Sequence, residues 1–408
     1  MDAIYIFTNS FPYGSGEPFL EREFPYLLSL KRPLFILPLY KDGKIRPLFT
    51  SPEAPVTVTA PLLPFDPKER RKLLFHGLCN GAPLFIKEFF GQRIWRSRFK
   101  MWRFFTSWLL LRAMLSKNRR LLNRRLKSTH QGGATLYFYW GDKSVLLLPF
   151  LKHKAKTIVR FHGSDLYGFH PLRKRTLPSI DLACPVSQHG ANHLRLHYGA
   201  LTPPVSVLRL GTLDYGLGPE PTFGAPFHIV TCARMVSLKR LPLVWKALRL
   251  LYRTQRLPFP VRWTLIGEGP MRRELEAFVA DAALSEMLSV DFVGHLPPDA
   301  VMKFYSETAV DLFILTSESE GVPVSIMEAF SFGIPAIATA VGGVPELVSR
   351  HTGDLLPANP TAKEVSERLL DFMNLSPSER AAKRQAARTL WEAEWNAERN
   401  YKAFSIIL

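Results

Sequence analysis

The sequence predicts an α/β protein built from two doubly wound parallel sheets, one in each of two domains. Three observations predict it. Short apolar runs alternate with helical stretches along the chain. A chain of 408 residues is too long for one ordinary core and suggests two units of about 150–200 residues each. A stretch rich in Pro and Gly, residues 215–226, interrupts the alternation near the middle of the chain.

The first predicted domain, residues 1–215, opens with a strand, a glycine-containing turn and a helix. The opening strand is Ile4–Thr8, and the helix extends from about Phe19 to Leu30. A basic region, residues 66–127, is predicted to be helical. The other strands predicted in this half are Leu34–Pro38, Leu136–Trp140, Thr157–Phe161, Leu182–Pro185 and Val205–Arg209.

The second predicted domain, residues 216–390, repeats this rhythm, with helical stretches between strands. A tail, residues 391–408, is expected to be helical and to pack back on the first domain. The strands predicted here are Phe227–Ala233, Arg262–Ile266, Val290–Val293, Val310–Leu315 and Ala336–Ala338.

The positive charge of the chain is concentrated in the basic region. Of the formal +18, residues 68–127 contribute +15, from 17 Lys and Arg against two acids. Cations such as Arg98 and Arg103 are interleaved there with apolar side chains. The interleaved apolar residues are Trp95, Phe99, Trp102, Phe105, Trp108 and Leu109. This composition is typical of an interfacial membrane helix, where each cation near an anionic surface contributes about 1 kcal/mol.

Two other interpretations of the basic region stay open. One is a helix that packs on the core and exposes a solvated basic face. The other is a nucleic-acid surface, although no nucleic-acid module signature accompanies the patch, so we expect no nucleic-acid partner.

Cysteine usage and the start of the chain indicate the compartment. Cys79, Cys184 and Cys232 are odd in number and widely spaced, which fits a reducing compartment and excludes a zinc or disulfide framework. The first residues lack the features of a secretory signal. The longest apolar run, Phe104–Leu115, contains Arg112 and is too short to span a bilayer. We therefore expect a cytoplasmic protein, peripheral on the inner face of the cytoplasmic membrane.

Two glutamates eight positions apart, Glu320 and Glu328, mark the predicted functional site. They flank a turn at Gly321 and Pro323, between an apolar strand and a helix over Val324–Phe332. Such a turn faces the carboxyl end of the sheet, where open α/β folds bind ligands. Amides at the start of a helix suit a phosphate, and carboxylates suit the hydroxyls of a sugar. The combination predicts a nucleotide-sugar site.

A pair of cations is expected at the same edge of the sheet. Arg234 and Lys239 follow the strand Phe227–Ala233 and can hold a diphosphate, the guanidinium by paired hydrogen bonds and the ammonium as a point charge. Alone, this spacing is more often a solvated surface pair. The glycine-containing segments 267–270 and 291–294, expected at the same edge, favour the diphosphate site.

These residues resemble a family, the retaining glycosyltransferases of family 4, which adopt the GT-B fold. The most specific part is E-x7-E, from Glu320 to Glu328. Support comes from Arg234 and Lys239 and from the segments 266–270, 342–346 and 162–165. Segments 11–19 and 395–401 are similar to the subset that builds bacterial surface polysaccharides. The resemblance spans almost the whole chain and implies two Rossmann-like domains facing a central cleft.

The resemblance implies a role for each residue at the donor site. Glu328 would hold the ribose hydroxyls and Glu320 would contact the transferred sugar, as would His162. Arg234 and Lys239 would neutralise the diphosphate. The other donor contacts it implies are Gly267, Gly321, Val322, Pro323, Val324, Val293 and Gly294. Simpler structural interpretations exist: Glu320 as a carboxylate at a helix N-terminus, Glu328 as an exposed helical acid, and His162 as a core histidine.

A second loop is expected near the donor phosphate or the acceptor. Gly14, Ser15 and Gly16 would allow a close approach of the backbone. Asp165 is expected to support this site rather than react, and Glu17 to cap the following helix.

The implied reaction is a transfer, with retention, from a nucleotide-diphosphate-sugar to a hydroxyl of a lipid-linked saccharide in capsule, exopolysaccharide or lipopolysaccharide synthesis. No Asp-x-Asp occurs in the sequence, so we expect no metal and no cofactor. The predicted partners are the donor, the acceptor and an anionic membrane surface. Two alternatives are a soluble sugar synthase acting on a small phosphorylated sugar and a non-catalytic protein that binds sugar nucleotides.

Overall fold

The structure is a computed structural model that describes residues 2–14, 16–63, 89–90, 94–128, 133–151, 154–222, 224–280 and 286–408. The chain forms two compact units, Met1–Leu208 with Tyr401–Leu408, and Arg209–Asn400. The first unit thus ends a few residues before the predicted boundary at 215. Of the predicted tail, residues 391–400 belong to the second unit, and only residues 401–408 belong to the first.

The first unit contains a six-stranded sheet whose strands all pair in parallel. Its strands are β1 Ile4–Thr8, β2 Leu34–Pro38, β3 Val56–Val58, β4 Thr135–Phe138, β5 Lys156–Phe161 and β6 Leu182–Pro185. They lie in the order β3-β2-β1-β4-β5-β6.

The second unit repeats this winding in another six-stranded parallel sheet. Its strands are β7 Phe227–Cys232, β8 Val261–Ile266, β9 Leu288–Gly294, β10 Leu312–Leu315, β11 Ala336–Thr339 and β12 Gly353–Leu356. Their order is β12-β11-β10-β7-β8-β9, which is the Rossmann order when counted within the unit. The strand order therefore reverses between β1 and β4 in one sheet and between β7 and β10 in the other, and ligands bind at such switch points.

Helices connect the strands in both units. The α-helices are α1 Pro18–Leu28, α2 Arg98–Ser128, α3 Gly163–Leu166, α4 Arg173–Thr176, α5 Gln188–Tyr198, α6 Leu241–Arg253, α7 Arg272–Ala280, α8 Pro298–Glu307, α9 Val324–Ser331, α10 Ala362–Met373, α11 Pro377–Leu390 and α12 Ala397–Ser405. Shorter 3₁₀ turns are Ile94–Arg96, Ser144–Phe150, Leu177–Ser179, Gly199–Leu201, Ser237–Lys239 and Val344–Glu346, and a π-helix spans Trp391–Trp395.

The central strands are buried along their whole length, as the apolar runs predicted. β1 and β10 have only buried residues, because helices cover both faces of a doubly wound sheet. Phe7 of β1 stacks on Phe138 of β4 with ring centroids 4.1 Å apart. The core of the first unit thus packs across the switch point between β1 and β4.

One predicted strand of the first half is wrong. The segment Val205–Arg209 runs beside β6 but forms a single bridge, Val205 to Ala183. The amide of Ser206 donates to the Ala183 carbonyl oxygen over 3.0 Å, and the amide of Leu208 to that of Pro185 over 3.0 Å. Pro185 itself has no N–H, so the ladder is interrupted where a strand would need its return bond.

Candidate active site at the switch point of the second sheet

The loops that follow β7 and β10 bring two predicted site residues into direct contact. Lys239 lies in the loop after β7 and Glu320 in the loop after β10, and these strands are neighbours in the sheet. The Lys239 Nζ atom lies 2.6 Å from Glu320 Oε1. Both side chains are mostly buried, 20% and 11% exposed. The carboxyl edge therefore holds a cation and a carboxylate as a charge-assisted hydrogen-bonded pair.

Arg240, which the sequence analysis missed, fixes these loops to one another. Its Nε donates to the Thr316 carbonyl oxygen over 2.6 Å. Its Nη2 donates to the carbonyl oxygens of Ser317 and Ala358, over 2.9 and 2.8 Å. Arg240 thereby joins the loops after β7, β10 and β12, which positions its neighbour Lys239. In the sequence it is one more cation beside a lysine, and nothing distinguishes it.

The second glycine loop, residues 342–346, packs on the backbone of Glu320. Gly342 has a φ of +53°, and a Cβ atom there would lie 1.9 Å from the Glu320 carbonyl oxygen. The amide of Gly343 donates to the Gly321 carbonyl oxygen over 2.6 Å. Only glycine allows this approach, so Gly342 is a positioning residue for Glu320.

The start of α9 presents amide groups beside the Lys239–Glu320 pair. Among the residues the structure describes, the amides of Gly321, Val322 and Val324 have no hydrogen-bond acceptor. Unpaired amides at a helix start suit an anion. Pro323 takes the N-cap position and has no N–H, so it contributes no amide to such an anion.

Glu328 lies near the carboxyl end of β7. Burial raises the pKa of the Cys232 thiol to about 12, and the charge of Glu328 adds to that rise. Burial also raises the pKa of the Tyr305 hydroxyl, again with contributions from Cys232 and Glu328. Glu328 itself is half-buried, so the interpretation of an exposed helical acid is wrong.

Arg234 lies at the same edge but apart from the Lys239–Glu320 pair. Its side chain is exposed and forms no ion pair within the described ranges. Gly267 packs closely on the backbone that precedes Arg234, because a Cβ atom on Gly267 would lie 2.0 Å from the Ala233 carbonyl oxygen. The amide of Gly267 donates to the Gly294 carbonyl oxygen over 2.7 Å, and the neighbouring Val293 side chain is 43% exposed. Gly267, Val293 and Gly294 are thus adjacent, as expected from their strands.

The switch point of the first sheet carries no such ion pair among the described residues but a carboxylate, Glu17, that binds backbone amides. The Glu17 carboxylate accepts hydrogen bonds from the amides of Asn9, Ser10 and Phe11 over 2.9, 2.7 and 2.6 Å. The Trp140 indole, after β4, donates to it over 2.7 Å. Glu17 precedes α1 with a φ of 58° and makes no side-chain cap. The predicted helix cap is therefore wrong: Glu17 organises the loop after β1 instead.

The glycines of this loop are explained by close packing. Gly14 has a φ of +66°, and a Cβ atom there would lie 2.3 Å from the Asp42 carbonyl oxygen. A Cβ atom on Gly16 would lie 2.8 Å from Ser10 Oγ. Ser15 lies outside the described residues.

His162 and Asp165 follow β5 at the same edge. The His162 ring packs on Trp140, with centroids 4.3 Å apart. Both of its ring nitrogens are buried and lack a hydrogen-bond partner among the residues described. Asp165 accepts hydrogen bonds from the amides of His162 and Gly141 over 2.5 and 2.6 Å. Asp165 thus supports the loops, and His162 presents an imidazole with unused hydrogen-bonding capacity.

The 3₁₀ turn Ile94–Arg96 and α2, which belong to the basic region, together have two faces. Phe104, Trp108 and Leu111 are buried in the core of the first unit. The expectation that Trp108 belongs to an interfacial aromatic surface is therefore wrong. Trp95, Phe99, Trp102 and Phe105 are exposed by 50, 59, 66 and 42%. No helix within the described ranges is both long and apolar enough to cross a membrane.

Solved structures with the same architecture define the fold class. Alr3699/HepE from Anabaena, in complex with UDP, covers 100% of this chain and 99% of its own, with a TM-score of 0.66 and 15% identity. The apo form of the lipopolysaccharide outer core galactosyltransferase WaaB covers 99% of both chains, with a TM-score of 0.65 and 13% identity. The predicted GT-B fold is therefore confirmed.

Sequence relatives narrow the class of function. Residues 220–389 match the family "Glycosyl transferases group 1". The putative colanic acid biosynthesis glycosyltransferase WcaL of Escherichia coli is 29% identical over 62% of this chain and 63% of its own. The amylovoran biosynthesis glycosyltransferase AmsK of Erwinia amylovora is 26% identical over 74% of each. The match thus spans about three fifths of WcaL and three quarters of AmsK. These relatives favour the predicted glycosyltransferase of polysaccharide synthesis over both alternatives.

Proposed function

We propose that this chain is a glycosyltransferase of polysaccharide biosynthesis that moves a sugar from a nucleotide-diphosphate-sugar to a hydroxyl of a lipid-linked saccharide. The Lys239–Glu320 pair at the switch point of the second sheet carries the proposal. It lies within the family match, beside unpaired amides and the half-buried Glu328. The relatives named for colanic acid and amylovoran synthesis supply the pathway class.

In the proposed donor complex, the diphosphate lies over Lys239 and the amides of Gly321 and Val324. The ammonium, already paired with Glu320, then lies between two anions. Exposed Arg234 adds a second cation to the leaving group. Fixed cations and amides can stabilise this developing charge without a metal ion. Glu328 takes the ribose hydroxyls, and Glu320 takes a hydroxyl of the transferred sugar.

We propose that the transfer proceeds with retention at the anomeric carbon. The bond from that carbon to the diphosphate oxygen breaks, and the acceptor oxygen forms its bond on the same face. The departing oxygen accepts the acceptor's hydroxyl proton, so no separate protein nucleophile is needed. The products are the extended saccharide and the nucleoside diphosphate. An anomeric proton spectrum of the product identifies retention directly.

A peripheral membrane position is part of the proposal. The exposed aromatic face formed by α2 and the preceding 3₁₀ turn carries Trp95, Phe99, Trp102 and Phe105. Arg96, Arg98 and Lys100 are exposed beside them. Aromatic rings and cations on one surface suit the interface of an anionic bilayer, and a cytoplasmic protein held there reaches a lipid-linked acceptor.

Liposome flotation tests the membrane position. Phe99→Ala with Trp102→Ala should reduce binding to vesicles with phosphatidylglycerol by about tenfold or more, because two partly inserted rings are lost. Leu196→Ala serves as control, because Leu196 is 83% exposed elsewhere in the first unit. Equal flotation of the double variant and the control would contradict the membrane position.

Glu320→Gln tests the catalytic proposal. Loss of its charge should lower turnover by about 100-fold or more while nucleoside diphosphate affinity stays near that of the unmodified protein. Glu318→Gln is the matched control, because Glu318 is exposed in the same loop. A panel of UDP-, GDP- and ADP-sugars, with and without a chelator, would identify the donor first. Unchanged turnover of Glu320→Gln with the preferred donor would remove Glu320 from the reaction.

A further inference from the structure

A cavity of about 410 Å³ opens in the first unit, beside α2 and the loop that follows β4. Within the described part of the chain, cationic side chains that line it are Arg103 of α2, Lys143 after β4 and Arg173 of α4. Trp102 and Leu110 of α2 form part of its apolar wall. Among the residues that the structure describes, none predicted for the donor or acceptor site lies in this lining.

Arg173 is the strongest indication of a ligand. The residue is only 3% exposed. Its Nη2 donates to the carbonyl oxygens of Gly141 and Asp165 over 2.7 and 2.6 Å. Its Nη1 is buried without a hydrogen-bond partner in the described part of the chain. A buried guanidinium normally uses its donors, so this group is prepared for an acceptor that the protein itself does not provide.

The other charges of the cavity leave an excess of positive charge. Burial, with the charges of Arg173 and Arg103, lowers the pKa of His170 to about 3, which leaves this histidine neutral. The charges of both guanidiniums thus reach His170. Arg103 forms no ion pair within the described residues. Asp142, a carboxylate in the lining, accepts a hydrogen bond from the Lys143 amide over 2.5 Å. Burial raises the pKa of Asp142, and so does Asp165.

A phosphate group fits this chemistry. Guanidiniums bind phosphate oxygens by paired hydrogen bonds, and an ammonium adds a point charge. The cavity also adjoins the exposed aromatic face, because Trp102 belongs to both. An anion held on a lipid at that surface could therefore enter beside Trp102.

We propose that this cavity binds the phosphate groups of the acceptor, with Arg103, Lys143 and Arg173 as ligands. The identification of the ligand as the acceptor rests on the proposed function, but the existence of the anion site does not. The donor diphosphate belongs to Lys239 of the second unit, so the chain carries two separate phosphate sites. Asp142 is positioned to accept a hydroxyl of the saccharide attached to that phosphate.

The first test is calorimetric titration of inorganic pyrophosphate into the full chain saturated with the nucleoside diphosphate of its donor, which occupies the donor site. We expect measurable binding, which Arg103→Gln and Lys143→Gln should each weaken by about tenfold. Arg98→Gln is the matched control, because Arg98 is an exposed arginine of the same helix. No pyrophosphate binding, or equal weakening by Arg98→Gln, would overturn the proposal. Arg173→Gln is a weaker test, because Arg173 also holds the fold.

The second test separates this site from the proposed function. Arg103→Gln should raise the KM for the acceptor by about tenfold and leave the KM for the donor unchanged. A parallel rise in both would overturn the assignment to the acceptor. If the chain transfers no sugar but Arg103→Gln still weakens pyrophosphate binding, the anion site stands and the proposed function fails.

The third test identifies the source of the phosphate. The same glycosyl diphosphate is offered on a polyprenyl tail in phosphatidylcholine vesicles, on a short soluble tail, and as the free saccharide phosphate. A preference for the polyprenyl form that Arg103→Gln reduces supports a lipid headgroup. A preference for the free form that Arg103→Gln reduces supports a soluble phosphosugar. Indifference of all three to Arg103→Gln would overturn the proposal.

Discussion

The two switch points of this chain share one winding and differ in their chemistry. Both sheets reverse their order after the first strand of the unit. The second sheet places an ion pair there, Lys239 with Glu320, beside unpaired amides. The first sheet places Trp140 and His162 there. The Glu17 carboxylate beside them accepts hydrogen bonds from loop amides and from the Trp140 indole. The topology thus provides two equivalent positions, and the proposed function assigns the charged leaving group to the one whose side chains carry the ion pair.

The largest expected effect tests the charged switch point. Lys239→Ala should lower turnover by about 1,000-fold, because the diphosphate loses its buried cation. Lys246→Ala is the control, because Lys246 is exposed on α6, just beyond Lys239. Steady-state kinetics with the preferred donor measure both. A loss in Lys239→Ala no larger than in the control would mean that the comparison assigns the leaving group to the wrong position.

The second effect tests how the charged pair is held. Gly342→Ala should lower turnover by about 100-fold, because its Cβ atom would displace the Glu320 backbone and such a shift misplaces the carboxylate. Gly216→Ala is the matched control: Gly216 also has a positive φ, +86°, with nothing within 4 Å of a Cβ atom.

Both glycine variants should lose about 1 kcal/mol of stability from the positive φ. Thermal unfolding of Gly216→Ala measures that common cost alone, and Gly342→Ala adds the cost of the clash; kinetics measure the difference in turnover. If both variants retain full turnover, the glycine loop does not position Glu320.

The sequence predicted the central strands and one edge strand of each sheet, β6 and β9, and missed the opposite edge strand of each. β1, β2 and β6 have the predicted limits, because each is a compact apolar run. β3 and β12 were not predicted. Both are edge strands of three or four residues and are only partly buried, so their composition resembles a loop.

The same division applies to the site. The meeting of Lys239 and Glu320 follows from two strands ending at one edge, which the sequence pattern indicates. The roles of Arg240 and Glu17 could not be predicted, because their partners are backbone groups of Thr316, Ala358 and Asn9. Every residue has a carbonyl and nearly every one an amide, so no pattern of side chains reveals which will be used.

The smallest expected effect tests the aromatic switch point. His162→Ala should lower turnover by about tenfold, the value of one hydrogen bond to a sugar hydroxyl, with no change in affinity for the nucleoside diphosphate. His197→Ala, an exposed histidine of the same unit, is the control. Removal of the ring also exposes the face of Trp140 on which it packs, so tryptophan fluorescence should report the change. If His162→Ala costs more than Lys239→Ala, the first sheet contributes more to the chemical step than the second, and the contrast between the two switch points is reversed.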